Sequence, residues 1–575
     1  MNGSIETPGT GWFEQALEHG AMGRHAEALA LFEGAIAAGG ADRDTWYNRG
    51  VALGKLGRPL DALISYDKAV ALDGAFGPGW RSHGNALVAL KCYSEALVSY
   101  ARAAECHPKP EGVAGALAYA RTMLCNWEGL DAAYREIAEG IRCGEHVTHV
   151  GGILASPLDA DLHRRCAEIA VSSRHHGRGE RPAPHGGYPG RRIRIGYVSG
   201  DFRNHPVGYQ ALALLREHDR RGYEVHVYSL HSAESDACQE EIRRAADAFH
   251  DLGVLDNASA VSLVRSHALD VAVDLQGHTV HSRMALFAQY LAPLQVNYLC
   301  PGTSGAPFLD YILADEVAIP PEHHGAFVER IVTLPGSFFI ADYSAIPRAA
   351  CPSRESEGLP PRGTVFACFS DSYKITPDIF EAWMRLLQRV EGSVLWLGQR
   401  STPASGDALR RKAAVHGVSP DRLVMARYAN TRTEHLARLS LADLCLDTRH
   451  YNGHTTVVDA LWAGVPVVTV PGAAFCGRVA ASILCASGLR DFVARDMDEY
   501  VALAHRLATD EDWRAAVRLR ITRSRGSVAL FDTPGTVRNV ERAYRHMLER
   551  AWRGEPPESF VVDPQGADPK GDVAR

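Results

Sequence analysis

Hydrophobic residues recur with two different spacings along this chain. From about residue 10 to residue 175, small and aromatic residues return every three or four positions, which is the spacing of one face of an α-helix. From about residue 192, short β-branched runs alternate with amphipathic stretches, the pattern of parallel sheets covered by helices. The change of spacing predicts a helical N-terminal part followed by an α/β part.

The helical part contains an internal repeat of 34 residues. Small residues let paired antiparallel helices approach closely, and aromatic residues fill the space between successive pairs. The aligned columns are Trp12, Trp46 and Trp80; Ala28, Ala62 and Ala96; Leu29, Leu63 and Leu97; Phe32, Tyr66 and Tyr100; and Ala35, Ala69 and Ala103. This period resembles three tetratricopeptide repeats over about residues 10 to 107, and a plain helical bundle is the alternative.

Changes of composition divide the chain further. A stretch rich in Gly, Pro, Arg and His at residues 172–192 is typical of a linker. The predicted divisions are repeats at 1–110, a capping and joining segment with its linker at 111–190, a first lobe at 191–350, a second lobe at 351–553, and a disordered tail at 554–575. First-lobe strands are predicted within 192–200, 224–230, 270–277, 296–299 and 310–315, and second-lobe strands within 364–370, 393–398, 422–427, 443–448 and 466–470.

Composition narrows the possible partners. Of 575 residues, 46% are hydrophobic and 22% charged, and the net charge of −7 gives no general attraction to nucleic acid or anionic membranes. The 12 cysteines include no C-x-x-C pair and no Cys/His quartet at zinc spacing, which favours reduced thiols over disulfides. The start lacks a signal-peptide pattern, and no apolar stretch of about 18 residues occurs. We therefore expect a cytoplasmic protein without nucleic-acid or membrane partners.

Polar side chains follow the predicted strands of the second lobe, where ligands bind in open α/β sheets. After the strand at 443–448 come His454, Thr455 and Thr456, and then a helix that carries Asp459. A helix N-terminus has unpaired amides and a partial positive charge, so it accepts phosphate readily. The alternative is that Thr455 only caps the helix.

Two other strand ends carry cationic side chains. The strand at 364–370 is followed by Asp371, Lys374 and Pro377, and Pro377 suits the first turn of a helix. A lone loop lysine can equally be a solvated surface residue. The residues after the strand at 422–427 are Asn430, Arg432, His435 and Arg438.

Five motifs together resemble the O-linked N-acetylglucosamine transferase family, including its bacterial members. They are YVSGDFRNHPVG, LAPLQVNYLCPGTSGAPFLDYILAD, SDSYKITP, SVLWL and LDTRHYNGHTTVVDALWAGVPVVTVPG. The resemblance covers about residues 10 to 545. It implies an α-helical tetratricopeptide-repeat solenoid followed by a two-lobed α/β glycosyltransferase of the GT-B, double Rossmann-like type, which inverts the sugar configuration and needs no metal or other cofactor.

The resemblance also implies a role for each donor-site residue. Lys374 would contact the diphosphate, with Thr455 and Thr456 of the His454 motif on its oxygens. The nucleoside would be held by Asp459 on the ribose hydroxyls, by Arg432 and His435 close to the ribose, and by Arg438 and the backbone near Asn430 on the uracil. His205 would lie beside the sugar and the incoming hydroxyl, either as a base or as a capped structural histidine. Gly302 and Thr303 of the PGTSG run would approach the sugar, unless that run is a surface turn.

The chain departs from the family pattern at three places. The family usually carries an amide at Asp371, and a carboxylate there would repel a diphosphate unless it is paired with Lys374 or Arg432. Leu299 and Cys300 stand where the family has a small residue and a tyrosine, which alters the expected wall beside the sugar. The repeats retain one residue of an asparagine ladder, since the column reads Glu14, Asn48 and Ser82.

These features together predict an inverting transferase that moves N-acetylglucosamine from a UDP-sugar to Ser or Thr hydroxyls of proteins. By this resemblance, the His-Thr-Thr form at 454–456 favours a UDP-sugar. GDP-fucose or another nucleotide sugar is the alternative donor, and a glycan or a small molecule is the alternative acceptor. The other alternative is a repeat scaffold with a decayed transferase part. We expect polypeptide acceptors to bind through the repeats, and self-association is compatible with the sequence.

Overall fold

The structure is a computed structural model that describes residues 10–173, 177–185, 191–231, 235–347, 349–398 and 402–565. Its residues group into two compact units. The first comprises residues 1–152 with the short segment 256–260, and the second comprises residues 153–255 and 261–575. The helical repeats therefore belong to the first unit and both α/β lobes to the second.

Paired antiparallel helices build the first unit. Their bounds are α1 Thr10–Ala21, α2 His25–Ala37, α3 Arg43–Lys55, α4 Pro59–Leu72, α5 Gly77–Ala89, α6 Tyr93–Glu105, α7 Val113–Met123 and α8 Leu130–Arg142. Helices α1 to α6 form three pairs with the 34-residue period, which confirms the predicted repeat solenoid. Helix α7 continues the packing, because Val113 and Ala116 share a core with Tyr100 of α6.

The alanine and aromatic columns of the repeat are buried, whereas Trp12 of the tryptophan column is exposed. The alanines at 28, 62 and 96 are at most 1% exposed, and the aromatic rings at 32, 66 and 100 are at most 6% exposed. A methyl group at Gly50 would lie 2.6 Å from the Tyr66 ring, and one at Gly84 would lie 2.5 Å from the Tyr100 ring. Each tyrosine thus packs directly on a glycine of the preceding helix, and these glycines form a further 34-residue column.

The second unit contains two parallel sheets. The first sheet has the order β13-β7-β6-β5-β4-β1-β2-β3, and the second has the order β10-β9-β8-β11-β12. The first is built from β1 Ile193–Ser199, β2 Tyr223–Ser229, β3 Ala248–Asp251, β4 Val271–Asp274, β5 Leu294–Asn297, β6 Tyr311–Ala314, β7 Arg330–Thr333 and β13 Phe560–Val561. The second is built from β8 Val365–Cys368, β9 Val394–Leu397, β10 Leu423–Met425, β11 Leu444–Leu446 and β12 Val467–Val468.

Helices cover both sheets. Their bounds are α9 Ala160–Ser172, α10 Pro206–Glu217, α11 Ala237–Ala245, α12 Asn257–Ser266, α13 Met284–Ala288, α14 Pro377–Arg389, α15 Pro403–Val415, α16 Arg432–Leu439, α17 Thr455–Trp462, α18 Val479–Ala486, α19 Met497–Thr509, α20 Glu511–Ser524 and α21 Thr533–Trp552. Every predicted strand is present, and the two-lobed α/β architecture is confirmed. Strands β3, β7 and β13 were not predicted.

The C-terminal segment departs from the prediction. Helix α21 packs on the first lobe, where Glu541 accepts hydrogen bonds of 2.9 Å from His218 Nδ1 and 2.8 Å from the Asp219 amide. Strand β13 then pairs with β7. The predicted disordered tail at 554–575 is therefore wrong for residues 554–565, because the unpaired edge of β7 gives the chain backbone partners. Residues 566–575 lie outside the described residues.

The predicted linker is partly ordered. Arg181 donates hydrogen bonds of 2.8 Å and 2.9 Å to the Asp310 carboxylate, and its guanidinium stacks on the Tyr290 ring at 4.4 Å. Residues 177–185 are thus held against the first lobe, whereas positions 174–176 and 186–190 of the predicted linker lie outside the described residues. Across the described part of the chain, no helix combines the length and apolar character needed to cross a bilayer.

Candidate functional site

The predicted donor residues meet where the strands of the second sheet end. Lys374 follows β8, Arg432 and His435 begin α16 after β10, and Thr455 begins α17 after β11. Because β10, β9, β8 and β11 are parallel neighbours, these three loops share one edge of the sheet. The topology therefore brings the three predicted clusters together.

A buried carboxylate, that of Asp447, fixes the loop that precedes α17. Asp447 Oδ1 accepts a 2.6 Å hydrogen bond from the Gly453 amide, and Oδ2 accepts one of 2.6 Å from Thr469 Oγ1. Burial raises the pKa of Asp447 to about 7, and these hydrogen bonds and the Lys374 charge oppose that rise. A methyl group at Gly453 would lie 2.5 Å from Thr456 Oγ1, so only glycine leaves that hydroxyl its position.

His454, rather than Thr455, is the N-cap residue of α17. Thr455 and Thr456 therefore occupy the first turn, where backbone amides have no partner within the helix. The Nε2 atom of His454 lies 3.2 Å from the carbonyl oxygen of Cys476, so it carries the proton and donates. Burial and the nearby Lys374 ammonium lower the pKa of His454 to about 3, which keeps this ring neutral.

The Lys374 ammonium lies against the same loop. Its Nζ atom donates a 3.0 Å hydrogen bond to the carbonyl oxygen of Asn452 and sits 3.6 Å from the centre of the Tyr451 ring. Asn452 is itself fixed, because its side chain donates to Thr448 O at 2.5 Å and accepts from the Ala480 amide at 3.3 Å. Lys374 is thus a positioned cation beside the helix N-terminus.

Asp459 is the centre of a buried polar cluster. The Tyr343 hydroxyl donates a 2.7 Å hydrogen bond to Asp459 Oδ1, the Arg432 guanidinium lies 3.6 Å from Oδ1, and His435 Nε2 lies 3.8 Å from Oδ2. Arg432 also stacks on the rings of Tyr343 and Tyr209, at 4.2 Å and 4.4 Å. Since Tyr209 lies on α10, this cluster joins the first lobe to the second.

The two residues predicted to hold the uracil, Arg438 and Asn430, are hydrogen-bonded to protein groups other than Asp459. Arg438 is buried, donates to the carbonyl oxygen of Arg427, and lies 3.2 Å from His435 Nδ1. Because arginine only donates, Nδ1 of His435 accepts and Nε2–H points towards Asp459. Asn430 is exposed, and its backbone amide donates a 3.0 Å hydrogen bond to Glu434 Oε2. Arg438 thus orients His435, and its predicted contact with uracil stays a prediction.

In the first lobe, His205 is the N-cap residue of α10. Its Nδ1 atom accepts a 3.3 Å hydrogen bond from the Val207 amide and lies 3.7 Å from Asp201 Oδ2. Asp201 is buried and also accepts from Gln276 Nε2 at 3.2 Å. While Nδ1 accepts from Val207, the proton of the neutral ring resides on Nε2. Asp201 and Gln276 are site-shaping residues that the sequence motifs did not single out.

Three residues of the PGTSG run, Thr303, Ser304 and Gly305, are buried rather than exposed at the predicted sugar site. The hydroxyl of Thr303 donates a 2.6 Å hydrogen bond to Glu329, which also accepts from the Ser304 amide at 2.7 Å. Gly305 has φ +65, and a methyl group there would lie 2.3 Å from the backbone of Ala167 in α9. Gly302 faces open space, because a methyl group on it would meet nothing within 4 Å.

Two further groups lie near this run at the end of β4. Burial raises the pKa of Asp274 to about 6, and its Oδ1 accepts a 2.8 Å hydrogen bond from the Gln276 amide. His278 Nε2 is hydrogen-bonded to the carbonyl oxygen of Ser304 at 2.6 Å.

Cys300, expected in the wall beside the sugar, is buried instead, with its thiol 3.5 Å from the Asp274 carbonyl oxygen. Leu299 precedes it in a left-handed conformation, with φ 61.

Asp371 lies at the start of the 3₁₀ turn Ser372–Lys374, where its carbonyl oxygen accepts a 3.0 Å hydrogen bond from the Lys374 amide. Its carboxylate is close enough to raise the pKa of Tyr451, although burial is the larger cause. The carboxylate that departs from the family pattern thus lies beside the same loop as Lys374.

Comparisons with known proteins identify the family of this chain. Residues 180–350 and 345–540 match the family described as Glycosyl transferase family 41. A probable UDP-N-acetylglucosamine–peptide N-acetylglucosaminyltransferase SEC of Arabidopsis thaliana is 35% identical over 380 residues, which is 65% of this chain and 39% of that protein. A UDP-N-acetylglucosamine–peptide N-acetylglucosaminyltransferase of Caenorhabditis elegans is 27% identical over 567 residues, covering 76% of this chain and 49% of that protein.

A solved structure is also similar over nearly the whole chain. It is a mutant of the O-GlcNAc transferase of Thermobaculum terrenum, with a TM-score of 0.71 and 28% sequence identity, and the match covers 96% of this chain and 100% of that one. The chain spans less than half the length of the two curated relatives. The family match extends over more than half of the residues and includes both lobes. This chain belongs to glycosyl transferase family 41.

Proposed function

We propose that this protein transfers N-acetylglucosamine from UDP-N-acetylglucosamine to Ser and Thr hydroxyls of polypeptides, with inversion at the sugar. The observation that carries the proposal is the meeting of Lys374, the first turn of α17 and the Asp459 cluster at one sheet edge in a family 41 chain. The relatives named above support the proposed donor and a peptide acceptor, because their descriptions name UDP-N-acetylglucosamine–peptide N-acetylglucosaminyltransferases.

The charge of the departing diphosphate is the main chemical problem. As the glycosidic bond breaks, negative charge builds up on the phosphate oxygens, and positioned donors stabilise it most. The Lys374 ammonium supplies a full charge, while the amides and hydroxyls of Thr455 and Thr456 supply donors at the positive end of α17. We propose that these groups together serve the role that a divalent metal plays in other transferases.

The Asp459 cluster suits the nucleoside. A carboxylate accepts hydrogen bonds from two neighbouring ribose hydroxyls, and Arg432 and His435 hold the Asp459 carboxylate in place. Buried carboxylates that are already hydrogen-bonded lose little entropy on binding a ligand. We therefore place the ribose at this cluster and the uracil towards Asn430.

His205 would act on the acceptor side. With the proton on Nε2, the ring donates a hydrogen bond and positions the acceptor hydroxyl or the sugar. The hydroxyl proton would then leave to water or to a phosphate oxygen of the donor. The repeats would hold extended acceptor segments, although Asn48 already donates its side-chain amide to Asp44 O at 2.9 Å.

A panel of nucleotide sugars tests the donor. Purified protein is incubated with an acceptor protein and with UDP-N-acetylglucosamine, UDP-glucose, UDP-galactose or GDP-fucose, and sugar incorporation is read by mass spectrometry. We expect UDP-N-acetylglucosamine to be transferred fastest and UDP to raise the melting temperature more than GDP. Faster transfer from GDP-fucose would assign the alternative donor, and no transfer from any donor would favour a non-catalytic scaffold.

The same assay tests the need for metal. Transfer should persist in excess EDTA, because the charge stabilisation comes from Lys374 and the α17 N-terminus. A strict requirement for added Mn²⁺ or Mg²⁺ would contradict the proposed diphosphate contacts.

We further propose a cytoplasmic location for the protein, which fractionation of cells expressing a tagged full-length chain would test.

A further inference from the structure

Three histidines meet on one face of the first sheet, away from the strand ends that form the donor site. His226 lies in the middle of β2, His250 lies on the edge strand β3, and His267 precedes β4. Residues two apart on a strand share a face, and Tyr228 is the pairing partner of His250, so His226, Tyr228 and His250 project on the same side. The small partner of His226, Ala248, leaves room between the two strands.

The nitrogen atoms of these rings are within metal-binding range. His226 Nδ1 lies 3.4 Å from His250 Nε2. Two imidazole ligands of a tetrahedral Zn²⁺ site, each about 2.0 to 2.1 Å from the ion, lie about 3.3 to 3.4 Å apart. One nitrogen of each of the three histidines lies within 4.8 Å of the others. Closing the widest gap needs a shift of at most about 1.5 Å, which rotation of half-buried side chains can supply.

The surrounding side chains orient the rings as partners of metal ligands do. His226 Nε2 is 3.0 Å from Glu224 Oε1, and because a carboxylate accepts, Nε2 carries the proton and Nδ1 keeps its lone pair. His267 Nδ1 is hydrogen-bonded to the Tyr228 hydroxyl at 2.9 Å, which leaves Nε2 for a ligand. A carboxylate, backbone carbonyl or water on the second ring nitrogen is the usual arrangement of metal-bound histidines, and Glu224 supplies the carboxylate for His226.

The cluster is also anchored and accessible. Glu224 is held by Arg192 and Arg194, at 3.3 Å and 3.5 Å. His226 is buried, whereas His250 and His267 are half-buried, so an ion can enter from solvent.

We propose that His226, His250 and His267 form a binding site for one divalent transition-metal ion of the Zn²⁺ class. Imidazole nitrogens suit Zn²⁺, Co²⁺, Ni²⁺ and Cu²⁺ and disfavour Mg²⁺ and Ca²⁺. The bound ion would cross-link β2, β3 and the turn before β4, and water would complete its coordination. The site lies at mid-strand, so its metal would stabilise the first lobe without contacting the sugar nucleotide. Aromatic packing alone is the competing explanation, because His250 stacks on Tyr228 and His267 at 4.9 Å and 4.3 Å.

Cobalt(II) titration of the full-length protein tests this site. Protein stripped with EDTA and desalted is titrated with Co²⁺, and the visible absorption of tetrahedral cobalt is recorded before and after competition with Zn²⁺. The variants are His250→Gln and His267→Ala, with circular dichroism as the check on folding. His416→Ala is the matched control, because His416 is an exposed histidine of the other lobe, at the C-cap of α15.

We expect one Co²⁺ per wild-type chain, displaced by Zn²⁺, and the same result for His416→Ala. Folded His250→Gln and His267→Ala should lose the absorption band and bind at least tenfold more weakly. Zn²⁺ should raise the melting temperature of the wild type and not that of His250→Gln. Equal cobalt binding by wild type and both cluster variants, or no band in the wild type, would overturn the site and leave aromatic packing as its role.

Discussion

The hydroxyl of Tyr343 donates a 2.7 Å hydrogen bond to Asp459 Oδ1. Tyr343 belongs to the segment between the two sheets, and Asp459 lies on α17 of the second lobe. This buried hydrogen bond therefore acts together with Arg432 and His435 to hold the carboxylate proposed to bind ribose. We expect Tyr343→Phe to lower the free energy of unfolding by about 1 to 3 kcal/mol and to raise KM for the sugar nucleotide.

A double-mutant cycle with Asp459→Asn separates the two effects of this change. If Tyr343 acts through Asp459, adding Tyr343→Phe to Asp459→Asn should produce little further rise in KM. Additive increases in KM would show that Tyr343 acts on the donor independently of that carboxylate.

Lys374→Ala should nearly abolish sugar transfer while the protein remains folded. The ammonium stabilises charge on the departing diphosphate, and losing one such contact costs about 2.7 to 4 kcal/mol, or about 10² to 10³ in kcat. The control is Lys412→Ala on α15, which removes a lysine of the same lobe outside the donor loops. Undiminished turnover of Lys374→Ala would exclude this residue from the reaction.

Two substitutions of His205 distinguish its capping role from its role at the acceptor. His205→Ala should lower stability by about 1 kcal/mol because α10 loses its cap, and His205→Asn should restore that stability. We expect transfer to stay low in both variants, since neither side chain reproduces the Nε2–H group. Recovery of both stability and transfer in His205→Asn would reduce His205 to a cap residue.

His454 should make the protein sensitive to acid. Its pKa is about 3 in the folded protein, against an ordinary value of 6.5, so the unfolded state binds the extra proton first as the pH falls. The contribution of neutral His454 to stability is present above pH 6.5 and is lost on acidification towards pH 3, by about 1.4 kcal/mol per pH unit. Urea unfolding at pH 7.5, 6 and 5 should show a smaller acid loss for His454→Gln than for the wild type. Identical pH dependence of the two proteins would contradict this assignment.

Deleting residues 1–152 tests the proposed role of the repeats. The cut follows the division between the two units, whereas a cut after residue 107 would expose the face of α7 that packs on Tyr100. We expect glycosylation of protein acceptors to fall much more than hydrolysis of UDP-N-acetylglucosamine by water, because binding energy far from the reacting hydroxyl is lost. A soluble truncated protein that modifies acceptors at the full rate would point to self-association or partner docking as the role of the repeats.

The strands and the donor loops could be predicted because each is specified by residues that are adjacent in the sequence. A β-branched run followed by Lys374 or by the His454 motif identifies both a strand and the edge where ligands bind. Strand β3, with the sequence AFHD, lacks that pattern, and β7 is a run of only four residues, RIVT. Strand β13 forms only because β7 offers a free edge. Their pairing depends on the completed sheet.

Contacts between residues distant in sequence explain what the motifs missed. Tyr343 meets Asp459 across 116 positions, and Thr303 meets Glu329 across 26. The histidines at 226, 250 and 267 follow no metal-binding spacing, because parallel strand pairing rather than sequence proximity brings them together. Side-chain partners of this kind become visible only once the topology is fixed.

Strand β13 belongs to the first sheet but is synthesised after the whole second lobe. A ribosome completes β1 to β7 and then makes the whole second lobe before Phe560 and Val561 can pair with Val332 and Thr333. Until then the edge of β7 and the surface that receives α21 stay uncovered, and exposed edges of this kind invite pairing with other chains. The newly made first lobe therefore keeps an exposed strand edge until the second lobe has been synthesised, although the first lobe comes earlier in the sequence.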